Sequence, residues 1–135
     1  MIDHISIAVR DLNEAARFYE DVLGALGLVR LVTQPHTVGF GKRYPEFWLN
    51  HRAGMDPVII GSGVHICLRA ENPDAVDAFH AAALAAGGIS DGPPGMRPHY
   101  SERYYAAFIC DPDGNRIEAV TFVDEAMLQP PSTVA

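Results

Sequence analysis

The sequence predicts an α+β fold: two βαβββ modules whose strands form a curled mixed sheet around an open trough, with the helices on its outer face. Three observations carry this. Residues 2–9 and 64–68 alternate apolar and polar side chains with the period of a strand. Each is followed by a stretch with apolar residues three and four apart, the period of a helix. The two stretches match at a constant offset of 61: His4 with His65, Ile5 with Ile66, Ile7 with Leu68, Phe18 with Phe79, Leu23 with Leu84 and Gly27 with Gly88. One register kept across a strand, a helix and the glycine after it marks an internal repeat.

In the first module, about residues 2–52, Ile5, Ile7 and Val9 form one face of the opening strand, and His4, Ser6 and Ala8 the other. Asp11 or Asn13 can cap a helix to about Leu23, with Leu12, Ala16, Tyr19, Leu23 and Leu26 as its buried stripe. Strands are expected at 28–33, 36–40 and 46–50, separated by Pro35, Gly41 and Pro45, and residues 51–62 read as a connector. The second module, about 63–123, repeats the strand at 64–68. A helix over 73–86 follows, with Val76, Phe79, Ala83 and Ala86 inward, and then a proline-rich loop over 90–103. A strand at 104–110 meets the turn Asp111-Pro112-Asp113-Gly114-Asn115, where Pro112 presets φ and Gly114 and Asn115 tolerate positive φ. The turn feeds a last strand, 116–122, whose alternation puts Ile117 on one face and Glu118 on the other. The two modules make one domain over 1–123, and the tail 124–135 is expected to be mobile or to dock on a neighbour.

Size and charge bound the function. The chain has 135 residues, 48% of them hydrophobic, which suits one core. A net charge of −7, with no basic run longer than Lys42-Arg43, argues against a nucleic-acid partner. Two cysteines are no disulfide framework, and Met1-Ile2-Asp3-His4 leads into a strand without a basic leader or a long apolar run. The expectation is a cytoplasmic protein with no membrane partner.

A histidine alone on a sheet face is usually a hydrogen-bonded structural residue. Here two stand in matching register, both directed into the trough, and Glu118 has the parity to join them. The order of Asp3-His4, Phe18-Tyr19 with Leu23-Gly24, Val64-His65, and Asp111-Pro-Asp-Gly-Asn before Glu118 resembles the vicinal oxygen chelate superfamily. This is the group of glyoxalase I, the bleomycin- and fosfomycin-resistance proteins and the extradiol dioxygenases. The resemblance covers about residues 2–123, and its glyoxalase-like branch is the nearest reading. It implies His4, His65 and Glu118 as ligands of one divalent metal (zinc, iron, nickel or manganese), with Glu118 also the catalytic carboxylate. It further implies a small-molecule substrate with neighbouring oxygens, and a homodimer that can build each trough across two chains. Two imidazoles and a carboxylate suit such an ion and leave positions open.

The resemblance to glyoxalase I implies a fourth-ligand position on the strand 46–50, where either Glu46 or Trp48 falls. Glu46 would add a base for proton transfer; Trp48 would leave two histidines and one carboxylate, and Pro45 tips the reading towards Trp48. Trp48, Arg97, His99, Tyr100 and Tyr105 are the candidate substrate-binding residues: Arg97 could clamp an anion, and His99 or Tyr100 could exchange a proton. Three functions follow: a metal-dependent lyase or isomerase of the glyoxalase-like branch, an iron-dependent extradiol-type dioxygenase, or a metal-free sequestering protein of the bleomycin-resistance type.

Overall fold

A computed structural model describes residues 1–124; the tail from 125 onward lies outside the described residues. The element order is β1 (Ile5–Val9), α1 (Leu12–Gly24), β2 (Val29–Thr33), β3 (Thr37–Gly41) and β4 (Phe47–His51), then β5 (Ile66–Arg69), α2 (Pro73–Ala85), β6 (Ile89–Met96), β7 (Tyr104–Cys110) and β8 (Arg116–Phe122). This is βαβββ twice, as the repeat requires. The strands form two mixed sheets of four, ordered β1-β4-β3-β2 and β5-β8-β7-β6. In each, the opening strand lies at an edge and pairs in parallel with the last strand of its module.

Both helices begin where the side chains allow. Asp11 accepts from the Glu14 amide at 3.0 Å, and Asn72 accepts from the Ala75 amide at 2.9 Å with Pro73 in the first turn. Each helix covers the apolar face of its own sheet. Tyr19, Val22 and Leu23 of α1 and Val76, Phe79 and Ala83 of α2 are fully buried in one continuous core with Val9, Phe40, Phe47, Leu49, Ile109 and Ile117. Among the described residues, no second helix layer lies on the opposite face of either sheet.

One element departs from the expectation. The first half of the proline-rich stretch expected as a loop over 90–103 is strand β6, paired antiparallel with β7. It is the outermost strand, where a proline without an N–H costs no interior ladder bond, and register shifts around Gly92 absorb the irregularity. The remaining turn, from residue 97 to 103, carries Arg97, His99 and Tyr100.

The turn before Glu118 is also the junction of the modules. Asp111, 3% exposed, accepts from the Tyr19 hydroxyl of α1 at 2.6 Å and from the Asn115 side-chain amide at 2.9 Å. Its other oxygen accepts from the Asp113 and Asn115 backbone amides at 2.9 and 2.8 Å. Asp113 binds the Arg10 guanidinium at 2.8 Å, and Asn115 donates to the Ala8 carbonyl at 3.0 Å. Burial pushes the Asp111 carboxyl above its ordinary pKa, against the opposing pull of the Tyr19 and Asn115 hydrogen bonds. Gly114 sits at φ 91°, and a Cβ there would lie 2.7 Å from the Val58 carbonyl oxygen. Gly114→Ala is therefore expected to lower stability by about 1–3 kcal/mol, combining left-handed strain with a backbone clash. Urea denaturation checks this; an unchanged midpoint would mean the turn relaxes freely.

Candidate metal and substrate site

The open face of the second sheet is built by register. Cys67 of β5 lies opposite Glu118 of β8, which lies opposite Phe108 of β7, so these side chains stand beside one another. His65, one residue before β5, brings Nε2 to 3.0 Å from Glu118 Oε1. Glu118 Oε2 accepts from the Tyr104 hydroxyl. The carboxylate is 3% exposed, while the His65 side chain remains 40% exposed. Cys67 Sγ is 3.9 Å from the same hydroxyl, and its thiol is pushed up to about 12 by burial and then by the Glu118 charge. The Tyr104 phenol is likewise raised, first by burial and then by its bond to Glu118.

The first sheet carries the matching positions with different chemistry. His4 stands one residue before β1, as His65 does before β5. Its Nδ1 meets Asp3 Oδ1 at 2.7 Å, and its side chain is 54% exposed. Ser6 lies opposite Trp48 as Cys67 lies opposite Glu118, so Trp48 occupies in this sheet the place that Glu118 holds in the other. The indole lies over Gly39, where an added Cβ would come 3.0 Å from the ring. Glu46 falls at the strand entry and accepts from the Lys42 amide at 3.4 Å.

Around Glu118 runs a line of rings. His99 and Tyr100 are 4.1 Å apart between centroids, Tyr100 and Tyr104 5.1 Å, and Tyr104 and Phe122 5.4 Å. Arg69 lies 4.8 Å over Phe122. Arg97 donates to the Pro93 carbonyl at 2.6 Å and sits 5.6 Å over Phe108. His99 and Tyr100 thus join the Glu118 surroundings through Tyr104. Tyr105 faces the other way: its hydroxyl donates to Asp77 of α2 at 2.6 Å, and its pKa is pushed up to about 12 by burial and by that carboxylate. Of these residues, Tyr104 is a candidate from sequence as one of the pair Tyr104-Tyr105, Phe108 and Phe122 are not singled out, and Arg69 is placed on the trough face without a role. Parity was the available signal for Tyr104 and Phe108, since Ala107 and Ile109 belong to the core and neighbours on β7 alternate faces.

Donors held about 2.1 Å from one ion, at angles from square to tetrahedral, sit about 3.0–3.4 Å apart. His65 Nε2 and Glu118 Oε1 match that span at 3.0 Å, and the donor set suits a divalent cation. Among the described residues, though, no group of three or more metal-ligating side chains converges within one chain, so His4 does not join the pair. A cleft of about 690 Å³ lies elsewhere, beside Arg10, Phe18 and Asp113, and none of the three expected ligands lines it. The open faces of the sheets are half-troughs.

The fold and these positions can be set beside known proteins. The chain is similar to a glyoxalase/bleomycin resistance protein from Albidiferax ferrireducens at 33% identity, with 87% of this chain and 95% of that chain covered and a TM-score of 0.75. The fosfomycin resistance protein FosX from Listeria monocytogenes matches at 16% identity over 93% of this chain and 95% of its own, with a TM-score of 0.66. FosX from Mesorhizobium loti matches at 18% identity over 96% and 98%, also with a TM-score of 0.66. These two show the shared fold alone. No curated protein matches the sequence. With residues 1–119 matching the model of the Glyoxalase/Bleomycin resistance protein/Dioxygenase superfamily, on the paired βαβββ fold described above, the chain belongs to that superfamily.

Proposed function

We propose that the protein is a divalent-metal-dependent enzyme of the glyoxalase-like kind, a lyase or isomerase of a small metabolite with neighbouring oxygens. It works as a cytoplasmic homodimer whose two sites are each shared between chains. The observation that carries this is the His65–Glu118 pair on an open sheet face, with an exposed His4 that the same chain does not bring to it. Asp3 engages His4 Nδ1, which leaves Nε2 as the nitrogen that would bind a metal. A second copy would deliver that nitrogen to His65 and Glu118. β1 and β5 are edge strands, so both half-troughs have a border where another chain can be added. The two free cysteines and the lack of any helix long and apolar enough to cross a membrane, among the described residues, accord with this setting.

Bound there, the metal would act as a Lewis acid on the substrate's paired oxygens. The protein's own groups do the rest. His65 and Glu118 would hold the ion, and Glu118, 3% exposed, accepts from the Tyr104 hydroxyl. Trp48 would close the opposite wall of the composite trough. The rings of His99, Tyr100, Tyr104 and Phe122 offer an apolar flank, with Arg69 above them as an anion contact.

Trp48 also favours a second reading. With Trp48 in the place equivalent to Glu118, and Glu46 turned to the Lys42 amide, the ligand set is two histidines and one carboxylate, which is also the set of iron-dependent ring-cleaving dioxygenases. Elemental analysis of protein made without a histidine tag, beside His4→Ala, tests both. About one ion per chain, lost in the variant, is expected. Zinc, nickel or manganese agrees with the lyase or isomerase, and iron with the dioxygenase. No metal in either, even after reconstitution, would leave a ligand-sequestering protein instead.

A further inference from the structure

We propose that Tyr104 is a positioning residue that reserves one oxygen of Glu118, so that the carboxylate meets the metal through the other oxygen alone. This rests on the metal-dependent reading above. The two oxygens of Glu118 have different partners: Oε1 faces His65 Nε2 at 3.0 Å, and Oε2 accepts from the Tyr104 hydroxyl. The hydroxyl is not there by local sequence. Tyr104 lies opposite Phe122 in the β7–β8 register, two same-face positions away from the Phe108–Glu118 pair. Its side chain has to run along the sheet to reach the carboxylate. The ring is held on that course edge-to-face against Phe122, with Tyr100 at 5.1 Å on another side.

The consequence is a count of open positions. A carboxylate can bind a cation through one oxygen or both. With two imidazoles and one carboxylate oxygen, an octahedral ion keeps three positions free; if both oxygens bind, it keeps two. A substrate that chelates through neighbouring oxygens fills two, so the third exists only while Tyr104 occupies Oε2. Tyr104 thereby selects for substrates, or substrate and water together, that need three coordination positions. The nearby Cys67, 3.9 Å from the same hydroxyl, packs on this arrangement from the β5 side.

The test uses full-length protein loaded with cobalt(II), with acetohydroxamate as a two-oxygen probe. Tyr104→Phe keeps the ring and its contacts and loses only the hydroxyl. It is expected to leave the Kd for acetohydroxamate within about twofold of the wild type, since two positions remain. Binding of azide, added as a probe of the third position, to the acetohydroxamate complex should weaken roughly tenfold or more. Both Kd values are read from the visible cobalt absorption. Tyr105→Phe removes the neighbouring hydroxyl, which serves Asp77 on the opposite face of β7, and should leave both Kd values as in the wild type. Should Tyr104→Phe fail to fold, Tyr104→Leu carries the same expectations. Azide binding to the acetohydroxamate complex unchanged in the Tyr104 variant would overturn the proposal while leaving the metal site standing. An equal loss of azide binding in Tyr105→Phe would overturn it in favour of a general loosening of β7. A wild type that takes up no cobalt would overturn both readings at once.

Discussion

Chains carrying His4→Ala and chains carrying Glu118→Gln, each unable to retain metal alone, are expected to regain it when refolded together. The reason is the separation of the donors. His65 and Glu118 face each other at 3.0 Å within one chain, while His4 stands exposed and away from them. If each site takes His4 from one chain and the pair from the other, a mixed dimer has one site with both changes and one with none. Random pairing makes about half the dimers mixed, so recovery approaches about a quarter of wild-type metal content. Glu118→Gln is a mild change for the fold, since the amide oxygen can still accept from Tyr104. Metal content of the mixture after gel filtration is the measurement. A mixture as empty as its components would exclude a shared site, and retention by His4→Ala alone would remove His4 from it.

The second large effect concerns the junction behind the site. Asp111→Ala is expected to cost roughly 3–5 kcal/mol, because it removes the acceptor of four hydrogen bonds at a buried position. The Tyr19 hydroxyl is the most exposed to this loss in energetic terms: its residue has no solvent access, so the hydroxyl can turn to no water. Tyr19→Phe deletes the donor together with its need for a partner and should cost only about 1–2 kcal/mol. Urea denaturation followed by circular dichroism separates the two. A loss below about 1 kcal/mol for Asp111→Ala would show that water or backbone adjustment replaces the carboxylate. Because Asp111, Asp113 and Asn115 bind Tyr19, Arg10 and the Ala8 carbonyl, the loss should loosen the first module from the second and disturb the strand that presents Glu118.

Several features were legible in the residues alone. Apolar alternation in β1 and β5, the helical stripes ending at Leu26 and Ala86, and the shared offset of the two modules were enough for two βαβββ modules. Those patterns record which face of each element leaves water, and removing apolar surface from water is the main force that assembles the elements. The proline-rich β6 was not legible, because Pro93 and Pro94 look the same in a loop and in an outer strand. Only its place at the sheet edge makes them harmless. Neighbours posed the same problem at finer scale. Tyr104 and Tyr105 are chemically alike, but one hydroxyl reaches Glu118 and the other Asp77, on opposite faces of β7.

By itself, then, the sequence determined the repeat, the face on which His4, His65 and Glu118 lie, and the turn that leads to Glu118, since each is a matter of local periodicity and turn chemistry. Tertiary structure alone decided which of them meet. Strand register set Trp48 opposite Ser6 and Glu118 opposite Cys67, and packing of the modules through their helices and the Asp111 junction left His4 apart from His65. Such pairings depend on how distant segments pack in three dimensions, and no spacing along the chain encodes that distance.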